Sequence, residues 1–130
     1  MIDRPRVLMV EDASPALGVL RDALGRAGFE VETAGTATEA VELLASRRYA
    51  AIVADCFLPD LAPLDWLAAV RGVAPTTPFV VYSGSIRLEE LRAHAADFRA
   101  VAVLEKPFAP ARLVEAVQRA MGEQPDEARS

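Results

Sequence analysis

Four short, uninterrupted apolar runs limit what this chain can fold into. They are "VLMV" (Val7–Val10), "AAIVA" (Ala50–Ala54), "FVVY" (Phe79–Tyr82) and "AVAVL" (Ala100–Leu104). Each has the length of a strand. A strand that is apolar throughout is covered on both faces, which is the mark of a parallel sheet between layers of helices. A fifth run, "FEVETA" (Phe29–Ala34), alternates as an edge strand does. Between the runs the spacing becomes helical. Leu17, Leu20 and Leu24 share one face of a first helix, with Ser14 placed to cap it and Pro15 suited to its first position. Val41 and Leu44 serve a second helix, capped by Thr36, and Leu64, Leu67 and Val70 serve a third. Ile86–Phe98 is a weaker fourth pattern, and Leu113, Val114, Val117 and Met121 form a fifth. Strand and helix alternate five times. This predicts one α/β doubly wound domain with right-handed crossovers.

The chain of 130 residues suits a single core, and its 52% apolar residues are enough to fill one. A net charge of −5 without a basic cluster argues against direct contact with nucleic acid. No apolar run approaches the roughly 20 residues of a membrane helix. The opening "MIDRPRVLMV" does not read as a secretory signal. The single cysteine, Cys56, cannot form an internal disulfide, which fits a reducing compartment. The expectation is a cytoplasmic domain over residues 1–121 with a polar, frayed tail over 122–130.

In doubly wound sheets, ligands bind beyond the carboxyl ends of the strands. Glu11 and Asp12 stand there after the first strand and Asp55 after the third. Ser83 and Gly84 follow the fourth, and Lys106-Pro107, in "VLEKPF", follows the fifth. Topology alone brings three carboxylates, a hydroxyl and a lysine to one rim. Two carboxylates about 4 Å apart repel by about 4 kcal/mol at an effective dielectric near 20. A hard divalent cation relieves this, and Mg²⁺ takes one or two carboxylates together with phosphate oxygens. Lys106 would balance the remaining charge, and Ser83 can donate to one more oxygen. An aspartate can act as a nucleophile toward phosphorus, giving an acyl phosphate. Positioning and charge neutralisation dominate such transfers.

Taken singly, each of these residues has a plainer reading. Glu11-Asp12 could cap a helix, Asp55 could form a turn, Ser83-Gly84 could be a turn, and Lys106 could be a snorkelling surface residue. Their shared rim and their order favour a site. Cys56 and Trp66 read as packing residues, and His94 as a solvated one.

These motifs resemble those of the receiver domains of two-component response regulators. "VLMVEDASPAL" is similar to the family's acidic pair after its first strand, and "IVADCFLPD" to its phosphoacceptor strand and following proline. "VVYSGS" is similar to its Ser/Thr segment, and "VLEKPF" to its Lys-Pro motif; the match runs over roughly residues 5 to 121. The resemblance implies a flavodoxin-like (βα)5 domain whose five-stranded parallel sheet has the order 2-1-3-4-5. It implies Asp55 as phosphoacceptor. Asp12, Asp55 and the backbone carbonyl of Phe57 would be Mg²⁺ ligands, with Glu11 acting through a water. Ser83 and Lys106 would hold phosphoryl oxygens. The implied donor is the phosphohistidine of a histidine kinase or histidine phosphotransfer protein, docked on the first helix at Pro15, Ala16 and Val19 and on Phe108. The output would lie in a downstream protein partner or in an output domain missing from this chain, with no direct nucleic-acid or membrane contact. No turnover of an external substrate is expected.

Three positions depart from the family pattern. Pro63 stands where a glycine is common, so the loop should take another path, with Pro63 opening the third helix. Phe57 is bulky beside the acceptor. Val103 stands where many members carry Tyr or Phe, so coupling through a rotating aromatic is not expected there. Other readings are a small phosphatase with an aspartate nucleophile, a flavodoxin-like cofactor binder, and a degenerate receiver that only binds. The first lacks a cap or general acid, the second lacks a phosphate-cradling glycine loop, and the intact residue set argues against the third.

Overall fold

The computed structural model of the chain describes residues 4–11, 15–55, 63–83, 89, 92–93 and 100–122, with the backbone alone at 15, 16, 63, 64, 66, 100 and 101. Five strands make one sheet: β1 (Arg6–Val10), β2 (Glu30–Ala34), β3 (Ala51–Asp55), β4 (Phe79–Ser83) and β5 (Ala100–Glu105). Their order is β2-β1-β3-β4-β5, and every neighbouring pair is parallel. Helices α1 (Pro15–Arg26), α2 (Ala37–Ser46), α3 (Pro63–Val73) and the C-terminal α4 (Pro110–Ala120) cover it. This is the expected doubly wound sheet.

The continuous apolar runs are explained by two buried layers. Val7, Met9, Val53, Val80, Tyr82 and Leu104 pack with Leu20, Leu24, Leu113 and Val117, so α1 and α4 lie on one face. Leu8, Val10, Ile52, Ala54, Phe79 and Val81 pack with Ala40, Leu44, Leu67 and Val70, so α2 and α3 lie on the other. Each large apolar side chain so buried contributes about 1.5–3 kcal/mol. The stability of the domain is therefore concentrated in β1, β3 and β4.

The "AVAVL" run is packed on both faces, with Val103 toward one layer and Ala102 and Leu104 toward the other. It forms β5, an edge strand that among the described residues pairs with β4, and Ala102 and Val103 are half-buried while Leu104 is buried. Its register shifts between Phe79 and Val80, where the partners step from Ala100 to Ala102, so β5 carries an extra residue there.

Local signals set the helix starts. Thr36 Oγ1 accepts from the Glu39 N–H at 3.1 Å, and the Glu39 carboxylate accepts from the Gly35 N–H at 2.9 Å, a reciprocal cap of the capping-box kind. α1 and α3 each open on a proline, Pro15 and Pro63, as their first-turn positions allow. Ser14, the expected cap of α1, lies outside the described residues. So does most of the Ile86–Phe98 pattern, of which Glu89, Arg92 and Ala93 are helical and exposed. Cys56, His94 and residues 123–130 also lie outside, as does the side chain of Trp66.

Away from the rim, one polar cluster ties β2 to the segment entering β3. Glu32 accepts from the Tyr49 hydroxyl and from Arg47, each at 2.6 Å, and Arg6 lies 3.4 Å away. The Tyr49 hydroxyl, with Arg47 and Arg6, holds the Glu32 carboxyl below its ordinary value against the opposing effect of burial. Burial and the Glu32 charge push the Tyr49 phenol up to about 12.

Candidate functional site

Strand pairing builds the rim. Val10 lies opposite Ala54, and the Glu11 N–H continues the ladder to Ala34 O at 3.0 Å, so Glu11 stands level with Asp55. Asp55 pairs with Tyr82, and Ser83 pairs with Glu105. The Lys106 N–H donates to Ser83 O at 2.9 Å, which fixes where the lysine leaves β5. The Lys106-Pro107 peptide is cis.

Among the described residues, the buried polar and charged positions include Glu11 (3% exposed), Asp55 (7%) and Ser83. Burying such groups is costly unless they are partnered. Their gathering at the carboxyl ends of three adjacent strands therefore marks a site rather than a core. Lys106 Nζ meets Asp55 Oδ2 at 2.7 Å. The lysine side chain is 40% exposed, so the ammonium reaches Asp55 from an open edge. A lysine this exposed avoids the cost of burying an ammonium.

In the sequence Tyr82 is one residue of an apolar strand, and the structure gives it a further part. Its hydroxyl donates to Glu11 Oε1. Its ring centroid lies 5.3 Å from Lys106 Nζ, and its ring meets Phe108 at 5.3 Å and 66°, edge to face. A phenol on the strand next to Asp55, on the α1 face, was the available signal.

A cavity of about 390 Å³ opens beside the rim, lined by residues that include Glu11, Val19, Leu20, Tyr82, Phe108 and Pro110. Val19 is 56% exposed, as its helical position predicts. Pro15 and Ala16 begin α1, and their side chains lie outside the described residues, as do Asp12 and Phe57. Among the described residues, no three His, Cys, Asp or Glu side chains gather as a metal site. Glu11 and Asp55 provide oxygen donors only, the chemistry that Mg²⁺ selects. No described helix is long and apolar enough to cross a membrane.

A family model of the response regulator receiver domain matches residues 7–118. The chemotaxis protein CheY of Thermotoga maritima is 32% identical over 121 residues, covering 88% of this chain and 95% of that protein. The protein-glutamate methylesterase/protein-glutamine glutaminase 1 of Anaeromyxobacter dehalogenans is 39% identical over 104 residues, covering 79% of this chain but only 30% of that protein. Among solved structures, the receiver domain of the sensor histidine kinase PA1611 from Pseudomonas aeruginosa superimposes with a TM-score of 0.81 at 26% identity. That match covers 92% of this chain and 99% of that one, which has a magnesium ion coordinated in its active site cleft. Strand order, rim and sequence agree, and the chain belongs to the response regulator receiver domain family.

Proposed function

We propose that this receiver domain takes a phosphoryl group onto Asp55 from the phosphohistidine of a partner, with Mg²⁺ required. The observation that carries the reading is the 2.7 Å contact of Lys106 Nζ with a buried Asp55, with a second buried carboxylate, Glu11, level with it just after β1. A carboxylate oxygen of Asp55 attacks phosphorus, the phosphorus–nitrogen bond breaks, and the imidazole leaves with its electron pair. Lys106 is open enough to follow the incoming charge and pair with a phosphoryl oxygen. Ser83, on the neighbouring strand end, donates to another. Asp12, Asp55 and the Phe57 carbonyl would hold Mg²⁺, with Glu11 acting through a water. The bound ion supplies neutralisation of the phosphoryl charge. Support for the metal comes from the oxygen-only donors and from the magnesium in the PA1611 cleft.

On this reading the receiver spans residues 1–121, followed by the polar tail 122–130. It is a cytoplasmic signalling module that assists its own modification and turns over no external substrate. The donor is a histidine kinase or histidine phosphotransfer protein. It approaches along α1, at Pro15, Ala16 and Val19, and across Phe108. The output is a downstream protein or an output domain outside this chain. Intact mass after incubation with acetyl phosphate and Mg²⁺ tests the chemistry. The wild-type chain should gain one phosphoryl group, and removing Mg²⁺ with a chelator or replacing Asp55→Asn should abolish the adduct. An adduct at full yield on Asp55→Asn would overturn the assignment.

A further inference from the structure

We infer that Tyr82 is a positioning residue of the phosphoryl site, because its hydroxyl holds Glu11 while its ring carries Lys106. The inference rests on the proposed function above. It assigns to one side chain the arrangement of both the acid on the metal side and the ammonium on the phosphoryl side.

Glu11 follows β1 and Tyr82 lies on β4, with β3 between them. Neighbouring strands are about 4.8 Å apart, so the Tyr82 side chain must cross β3 to reach Glu11. It does so from the position paired with Asp55. The phenol therefore spans the acceptor strand at the acceptor's own level.

Packing alone does not explain the hydroxyl. Tyr82 is fully buried in the layer formed with α1 and α4, and a phenylalanine would fill the same place. The added oxygen needs a partner when buried, and here it meets a carboxylate that is itself buried. Anchored through Oε1, Glu11 loses rotational freedom, and its second oxygen is held in one direction. Partners of this kind orient metal-site groups, and their loss typically costs about 10- to 100-fold in affinity or activity. The other half of the arrangement is the ring. Lys106 has a long, part-exposed stem, and the Tyr82 face gives its ammonium a seat beside Asp55.

The test is Mg²⁺ affinity, measured by calorimetry without any phosphoryl donor, for the wild type, Tyr82→Phe, Glu11→Gln and the double variant. Tyr82→Phe keeps the ring and should weaken Mg²⁺ binding about tenfold. In the Glu11→Gln background the same change should add nothing, because its effect runs through Glu11. Affinity in Tyr82→Phe within about twofold of wild type, or an equal tenfold loss in both backgrounds, overturns the inference. If Tyr82→Phe fails to fold, the wild-type Tyr82 ring signals in NMR decide. They should shift with the same Mg²⁺ midpoint as the Asp55 amide, and a ring unmoved at saturation overturns the inference. A wild-type chain that neither binds Mg²⁺ nor takes a phosphoryl group sinks the proposed function and this inference with it. A wild type that does both, beside an indistinguishable Tyr82→Phe, sinks only the role of Tyr82.

Discussion

At Lys106, the contribution to stability and the contribution to chemistry separate. Its ion pair with Asp55 is short, but the lysine side chain is 40% exposed. Pairs open to solvent contribute only about 0–1 kcal/mol. The same ammonium is proposed to meet charge that develops during transfer, where one lost donor costs about 100-fold or more in rate. Lys106→Met should therefore slow adduct formation from acetyl phosphate by about 100-fold while moving the melting temperature by only a few degrees. An unchanged rate, followed by intact mass at fixed Mg²⁺, would remove Lys106 from the chemistry. The Asp55–Lys106 contact was legible in the sequence because strand ends of a doubly wound sheet converge whatever their separation in the chain. The Tyr82–Glu11 bond was not. A tyrosine within "FVVY" counts as an apolar residue, and its partner lies 71 positions away across an intervening strand.

Single elements show which signals are local. The Thr36 cap and the proline starts of α1 and α3 are encoded within a few residues, and both kinds are legible. The edge position of β5 is not a local signal and follows from the strand order that the family resemblance implies. "AVAVL" is as apolar as the inner runs, and the strand order places it beside β4 at the end of the sheet among the described residues. Val103 packs beside the α2–α3 layer, opposite in face to Tyr82, so the aromatic of this rim stands on β4 rather than on β5. The Glu32 cluster was also hidden, since Tyr49 and Arg47 reach it only through the fold. Its energetics can be tested by pH. The folded Glu32 binds its proton less tightly than the unfolded chain does. Its contribution is therefore full above the ordinary value of 4.5 and is lost as pH falls below it. The Tyr49 phenol is shifted the other way, so its contribution is full below 10.0 and is lost as pH rises toward about 12. Tyr49→Phe should cost about 1 kcal/mol near neutral pH. It should also flatten the acid side, because Glu32 then returns toward its ordinary value. Urea unfolding at about pH 7 and about pH 3 measures both. Equal acid sensitivity in the two proteins would show that the Tyr49 hydroxyl does not set the Glu32 titration.

Across the whole molecule, the two faces of the sheet differ in what lies beside the core. Both sides are core, and the α1–α4 side also carries the rim cavity, lined by exposed Val19 and by Phe108. Phe108 also packs edge to face with Tyr82, so the cavity and the Asp55–Lys106 pair share one ring. On the proposed reading, a partner's phosphohistidine reaches Asp55 past this opening. Acetyl phosphate is small enough to enter without resting on Val19 or Phe108. The two donors therefore separate docking from chemistry. Val19→Glu places a charge on an exposed helical position, where surface substitutions change stability by only about 0.5 kcal/mol. That charge would face any apolar side chain a partner inserts beside Phe108, and desolvating it opposes binding. Transfer from the phosphorylated partner should slow by about tenfold or more, as for a loss of over 1 kcal/mol at an interface position. Transfer from acetyl phosphate should not change. Equal slowing with both donors would place the effect in the site itself, and no slowing with either would send the partner to another face of the domain.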